Sequence, residues 1–208
     1  MKLQLALDFR SIQDAIKVAD KVEDHVDIIE AGTPLIKSEG MQAVRILRER
    51  YPHKILVADM KTMDTGFFEA EIAFDAGADM VTVLAAADRE TIKGVADAAK
   101  KHVRSMMVDT IGIEDMELLR DKLRGLYVDY ILVHCGIDQQ NAGKSPFSSL
   151  QKVAELGMRP KIAVAGGIDA SKAKMLSAYP GVDIAIVGGA ITRSPNPAKA
   201  AEKIKGCL

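Results

Sequence analysis

The segment Val57-Ala58-Asp59-Met60-Lys61-Thr62-Met63-Asp64-Thr65-Gly66 concentrates reactive side chains in this chain of 208 residues. Asp59 and Lys61 stand two residues apart, so along an extended strand both side chains point to one side, and Asp64 follows in a loop or first helical turn. A lysine held by acidic neighbours stays protonated. It can donate a proton or stabilise an oxyanion where negative charge develops. A structural ion pair is the plainer alternative, but a charge pair buried at a strand end is costly without a use. Glu30 and Asp59 supply hard oxygen ligands of the kind that hold one Mg²⁺ while leaving it several waters. His134 is an acid or base near neutral pH, or else a hydrogen-bonded core residue. The pairs Gly166-Gly167 and Gly188-Gly189 suit backbone N–H groups aimed at a phosphate, or simply relieve crowding in tight turns.

Such groups need a frame to bring them together. Short apolar, β-branched runs recur at Leu3–Leu7, Val26–Ile29, Ile55–Ala58, Met80–Leu84, Ser105–Val108, Tyr130–Val133, Ile162–Ala165 and Ile184–Val187. They are near-continuously apolar, as parallel strands covered on both faces require. Helix-length segments lie between them. Ser11–Val22 sets Ile12, Ala15, Ile16, Ala19 and Val22 at three- and four-residue steps, with Ser11 and Asp14 placed to cap its start, and Thr91–Lys101 and Ala198–Lys205 repeat the pattern. Gly77, Gly125 and Gly157 mark helix stops before the next strands. Strand and helix alternate without a linker, which predicts one α/β domain over residues 1–208, a single (β/α)₈ TIM barrel. An open doubly wound sheet is the alternative. A dinucleotide site in such a sheet would want a glycine-rich turn after the first strand, where this chain has Asp8-Phe9-Arg10-Ser11.

In a barrel the strand ends converge on one mouth. Asp8, Glu30, Asp59, Asp109 and His134 follow the first, second, third, fifth and sixth runs, and their coincidence points to a site. The glycine pairs follow the seventh and eighth strands, where barrels often bind phosphate, so a phosphorylated small substrate is expected. His25, His53 and His102 are expected in helix-to-strand connections at the far end, and the methionines as core filler. The 28 basic and 29 acidic residues nearly cancel, leaving no electrostatic footprint for nucleic acid. Cys135 and Cys207 suit neither a disulfide framework nor a zinc site. Without a signal-peptide or membrane-span pattern, a cytoplasmic protein is expected.

Asp59, Lys61 and Asp64 match the motif Asp-x-Lys-x-x-Asp, by which the chain resembles the orotidine 5′-monophosphate decarboxylase superfamily. The likeness runs through Leu3-Gln4-Leu5-Ala6-Leu7-Asp8, Val26-Asp27-Ile28-Ile29-Glu30-Ala31-Gly32-Thr33 and the glycine pairs, and so covers essentially the whole chain. The Asp64-Thr65-Gly66 extension and His134-Cys135-Gly136-Ile137-Asp138-Gln139-Gln140 are similar to its aldolase branch, in which Leu is familiar at the place of Met60. The resemblance implies a Mg²⁺-dependent, reversible aldol condensation of D-ribulose 5-phosphate with formaldehyde to D-arabino-3-hexulose 6-phosphate, through an enediolate. It implies Glu30 and Asp59 as metal ligands, and Asp59, Lys61, Asp64 and His134 as catalytic groups. His134 would transfer the proton, a role that Lys61 or a bound water could share. Asp8, Asp109, Gly166, Gly167, Gly188 and Gly189 would bind substrate. It further implies a homodimer with shared sites, Asp64 reaching the neighbouring subunit. The branch of 3-keto-L-gulonate 6-phosphate decarboxylases is the near alternative; there an Arg follows the strand-six His by three positions, where this chain has Ile137. The orotidine monophosphate branch carries a lysine where this chain has Glu30. A catalytically silent phosphate-sensing barrel would have little need of the charged rim.

Overall fold

A computed structural model describes residues 1–208, and in it eight parallel strands close into one barrel ringed by helices. The strands are β1 (Lys2–Leu7), β2 (Ile28–Ala31), β3 (Ile55–Thr62), β4 (Met80–Leu84), β5 (Ser105–Asp109), β6 (Tyr130–His134), β7 (Lys161–Ala165) and β8 (Val182–Val187). They pair in chain order, and β8 returns to β1. This is the expected (β/α)₈ barrel and excludes the open sheet. The helices are α1 (Ile12–Val22), α2 (Thr33–Glu39), α3 (Gln42–Arg50), α4 (Gly66–Asp75), α5 (Arg89–His102), α6 (Met116–Leu123), α7 (Ile137–Asn141), α8 (Phe147–Glu155), α9 (Ala170–Leu176), α10 (Gly189–Thr192) and α11 (Pro197–Lys205). None is long and apolar enough to cross a membrane.

The near-continuous apolar runs serve two separate cores. Leu3, Leu5 and Leu7 of β1 pack outward against helices, while Ala6 joins Ile28, Val57, Met80, Met107 and Tyr130 inside the barrel. Alternate residues therefore face opposite apolar surroundings, and no strand reads as alternating. Around α1 the predicted face is buried through Ile12, Ala15, Ala19 and Val22. Ser11 does not cap it as expected. Its Oγ donates to Gln13 Oε1 at 2.7 Å, and the Ile12 N–H donates instead to Glu39 Oε1 at 3.2 Å.

Two strands differ from expectation in a way that moves the site. Val26 and Asp27 stay outside β2: the Val26 N–H closes a turn on Glu23 O, and the Asp27 carboxylate accepts the Leu3 N–H at 2.7 Å. β2 thus ends at Ala31, and β3 runs on to Thr62, so Glu30 and Asp59 lie within strands rather than just beyond them. β3 also leaves regular pairing. Ala58 pairs with Val81 but Thr62 pairs with Val83, which sets Asp59, Met60 and Lys61 opposite the single Thr82.

The histidines require one correction. His102 is not in a connection but in the last turn of α5, its Nε2 lying 3.4 Å from Glu71 and its ring 5.4 Å from that of Phe74. Met80, Met106, Met107 and Met116 fill core as expected, whereas Met63 and Met175 are exposed. Gly77, Gly125 and Gly157 stand where predicted, just after α4, α6 and α8.

At the barrel's other end, Asp79 ties three elements together. Its carboxylate pairs with Arg48 and Arg104 and accepts the Leu56 N–H at 2.9 Å. Asp79→Ala is expected to lower the free energy of unfolding by about 1–3 kcal/mol, measured in urea, because three donors lose their acceptor at once. Turnover of the folded variant should be unchanged, since Asp79 precedes β4 at the end away from the mouth.

Candidate active site

Lys61 is the centre of the charged mouth. Its ammonium donates to Asp59 Oδ1 and Oδ2 at 3.0 and 2.8 Å and to Asp109 Oδ2 at 3.1 Å. Its backbone is not extended as the two-residue spacing supposed: φ is 45°, in the left-handed region. The lysine and Asp59 meet because the ladder breaks, not because a regular strand aligns them. Burial works against the ammonium, but attraction to Asp59 and Asp109 prevails and its pKa is raised, so Lys61 is a cation throughout the physiological range.

Asp109 Oδ2 also accepts from His134 Nδ1 at 2.9 Å, while Oδ1 takes the Ile111 N–H. Burial pushes this carboxyl upward, yet His134 and Lys61 hold it below its ordinary value. A carboxylate on Nδ1 fixes that nitrogen as the N–H donor and leaves Nε2 free to exchange a proton. Asp109, expected to bind substrate, is 0% exposed, and its carboxylate is taken up by His134, Lys61 and the Ile111 N–H.

Asp8 and Glu30 complete the mouth and carry its electrostatic tension. Glu30 is driven well upward in pKa, first by burial and then by repulsion from Asp59 and Asp8, against the pull of Gln4 and Lys61. Asp8 is also raised, by burial and then Asp59. Gln4 Nε2 donates to Glu30 Oε2 at 2.6 Å, and the buried Gln4 Oε1 has no partner. Asp59, in contrast, is saturated, since Thr33 and Thr82 hydroxyls add donors at 2.7 Å to each of its oxygens. A β-carbon at Gly32 would collide with Asp8 Oδ1, so glycine there makes room for that carboxylate.

The two glycine pairs are built differently. Gly166 and Gly167 have φ of 117° and 64°, which L side chains rarely adopt, and a β-carbon on Gly166 would strike Cys135. Gln140 Nε2 donates to Cys135 O at 2.8 Å and Lys172 Nζ to Gly167 O at 2.7 Å. Gly188 has ordinary space around its missing β-carbon, and Gly189 is covered by the Arg193 guanidinium. Lys172 and Arg193 therefore bring two cations to the glycine loops. Sequence reading passed over both; the only signals were their places a few residues beyond each pair, Lys172 in α9 and Arg193 just after α10.

Asp64 is not joined to the rest within this chain. It is exposed, and its Oδ1 accepts the Thr65 N–H at 2.7 Å. Met63, Phe67, Phe68 and Ile72 beside it expose 54, 38, 64 and 37% of their surface, an apolar patch on a charged neighbourhood.

Barrel and charged mouth together define the class: residues 1–204 match the model of the orotidine 5′-phosphate decarboxylase / HUMPS family, and the chain belongs to that family. Within it, the chain is 41% identical over 208 residues to the 3-hexulose-6-phosphate synthase of Mycobacterium gastri, covering 100% of each. It is similar to the crystal structure of 3-hexulose-6-phosphate synthase from Salmonella typhimurium, with TM-score 0.97 and 44% identity over 100% of this chain and 98% of that one. A 3-keto-L-gulonate-6-phosphate decarboxylase from Vibrio cholerae is also similar, at TM-score 0.85 and 30% identity over 99% of this chain and 96% of that one.

The Asp109 pairings set a pH-dependent share of stability. A carboxyl held below its ordinary 3.8 stabilises the fold fully above that value and loses the contribution as pH falls through the lowered one. Asp109→Asn should cost about 1–3 kcal/mol at pH 7. Thermal unfolding of the pair across pH should show the gap between wild type and variant narrowing only below about pH 4.

Proposed function

We propose that this chain catalyses the reversible aldol addition of formaldehyde to D-ribulose 5-phosphate, forming D-arabino-3-hexulose 6-phosphate. The observation that carries the reading is a histidine held by a buried carboxylate beside a permanent ammonium: a proton acceptor next to a fixed positive charge. Its likeness to named 3-hexulose-6-phosphate synthases supports the same assignment.

His134 Nε2 takes a proton from C1 of ribulose 5-phosphate, because Nδ1 is engaged by Asp109. The C–H electron pair becomes the C1–C2 double bond of an enediolate, and the carbonyl pair moves to oxygen, where the Lys61 ammonium balances the charge. The C1–C2 double-bond pair then attacks the carbonyl carbon of formaldehyde, the C2 carbonyl re-forms, and the formaldehyde π pair moves to its oxygen. The new alkoxide takes back the proton, so no net proton is gained or lost. Lys172, Arg193 and the glycine N–H groups bind the phosphate, and Asp8 holds a sugar hydroxyl.

The donor set fits Mg²⁺. Asp8, Glu30 and Asp59 crowd negative charge together and an acceptor on Gln4 is orphaned, so a divalent cation would relieve both. Two carboxylates suffice for a cation that keeps most of its waters. Glu30 and Asp59 would hold it, Asp59 yielding part of its contact with Lys61. When bound, Mg²⁺ supplies Lewis-acid stabilisation of developing oxyanion charge.

Decarboxylation of 3-keto-L-gulonate 6-phosphate is the second reading, since it needs the same enediolate. Ile137, 60% exposed at the first turn of α7, argues against it. An apolar side chain there cannot orient a water to protonate the intermediate. The assay is loss of formaldehyde with ribulose 5-phosphate, expected with Mg²⁺ present, abolished by chelation and poor with unphosphorylated ribulose. Ile137→Arg should gain decarboxylation at the expense of condensation. A wild-type preference in kcat/KM for the ketogulonate substrate would overturn the assignment.

Asp64 is proposed to serve the site of a second copy, docked through the exposed Met63, Phe67, Phe68 and Ile72. Mixing inactive Lys61→Ala and Asp64→Ala proteins should restore activity, because each hybrid dimer holds one site with both groups intact. A fully active monomer in sedimentation would contradict this.

A further inference from the structure

The break in the β3–β4 ladder leaves the Lys61 N–H without a strand partner, and one side chain of β4 takes it over. Thr82 stands alone on β4 opposite Asp59, Met60 and Lys61. Its Oγ1 accepts the Lys61 N–H at 2.9 Å and donates its own hydrogen to Asp59 Oδ1 at 2.7 Å. One hydroxyl thus holds the backbone of the ammonium bearer and the carboxylate with which that ammonium pairs. Thr82 is 1% exposed, so bulk water does not compete for either bond.

The bond to the Lys61 N–H matters because Lys61 lies at a φ of 45°, which a residue with a β-carbon keeps only when its surroundings over-determine it. A return to regular pairing would swing the ammonium away from Asp109, to which it now donates at 3.1 Å. Thr33 provides the contrast. Its Oγ1 lies 2.7 Å from Asp59 Oδ2 and 2.8 Å from Asp59 O, but it makes no bond to Lys61.

We infer that Thr82 is a positioning residue, whose single hydroxyl locks the left-handed Lys61 backbone to the Asp59 carboxylate and so aims the ammonium at the place where oxyanion charge develops. The inference rests on the aldol reading, in which Lys61 faces that charge. It extends the reacting group from a salt bridge to a bulged strand held open by a hydroxyl from its neighbour. Small displacements of such groups are felt mainly in turnover, because the charge they balance exists only as the reaction proceeds.

Thr82→Val removes the hydroxyl while keeping the shape, and Thr82→Ser keeps the hydroxyl while losing a methyl. In the formaldehyde assay Thr82→Val should lose about 10–100-fold in kcat with KM for ribulose 5-phosphate changed by less than about threefold, and Thr82→Ser should return kcat to within about threefold of wild type. Hydrogen exchange of the Lys61 amide, followed by NMR, is the readout independent of turnover: slow in wild type and Thr82→Ser, fast in Thr82→Val. A folded Thr82→Val with wild-type kcat, a folded Thr82→Ser as inactive as Thr82→Val, or a Lys61 amide unprotected in wild type would each overturn the inference. Lys61→Ala separates the two levels. If it is inactive while Thr82→Val is not, only the positioning role fails; if wild type does not condense formaldehyde at all, the aldol reading fails and the amide exchange alone decides whether the clamp exists. Should Thr82→Val not fold, Thr82→Ser and the wild-type amide still give both outcomes.

Discussion

Lys61 sits among the carboxylates of Asp8, Glu30, Asp59 and Asp109, and the rest of the mouth is arranged around that imbalance of charge. A buried ammonium without partners would cost several kcal/mol or shed its proton, and buried carboxylates crowded together would do the converse. The result divides the carboxylates by environment. Asp109, tied to Lys61 and His134, is held ionised; Asp8 and Glu30, desolvated and repelled by Asp59, are pushed upward. Groups driven apart in this way mark where an acid, a base or a cation is to be used. The ionised half positions His134, and the strained half is what the proposed cation and sugar would relieve.

The barrel makes this arrangement sustainable. The four carboxylates come from the ends or bodies of four different strands, β1, β2, β3 and β5, so their mutual repulsion must be resisted by the ladder and by the two apolar cores rather than by one flexible loop. Close approach does part of the work. Gly66 and Gly94 let α4 and α5 cross where a β-carbon would strike backbone, at Thr91 O and Phe67 N respectively, which anchors the loop carrying Asp64 against the helix layer. Gly32 does the same for the Asp8 carboxylate. Inside the barrel, Ala6 and Ala165 stand level with Glu30 and His134 in the ladder and keep that layer of side chains small.

Much of this was legible from residue types and spacing. Eight apolar runs predicted the barrel because strands buried on both faces cannot hide their composition, and Asp8, Asp109 and His134 emerged at its mouth because polar groups cannot continue such a run. The misreadings have physical causes. Lys61 pairs with Asp59 through a bulge, which no local pattern announces, since the acceptor is a threonine more than twenty residues away. Glu30 and Asp59 were placed too late in their strands because a charge looks like an ending when its partners, Gln4, Thr33 and Thr82, lie elsewhere in the chain. Arg193 and Lys172 were missed because a lone cation near the start of a helix or just past its end ordinarily means only solvation. Asp64 shows the limit of a motif: its spacing places it with Lys61, but in the fold it is exposed and accepts only the Thr65 N–H.

In the proposed reaction the charged mouth generates an enediolate at C1 of ribulose 5-phosphate before any second substrate arrives. The most direct measurement is proton NMR of ribulose 5-phosphate incubated in D₂O with the Mg²⁺-supplied protein and no formaldehyde. One of the two C1 hydrogens should be replaced by deuterium, with a single stereochemistry, and His134→Gln should abolish the exchange. Both C1 hydrogens surviving intact in a preparation that still condenses formaldehyde would contradict it.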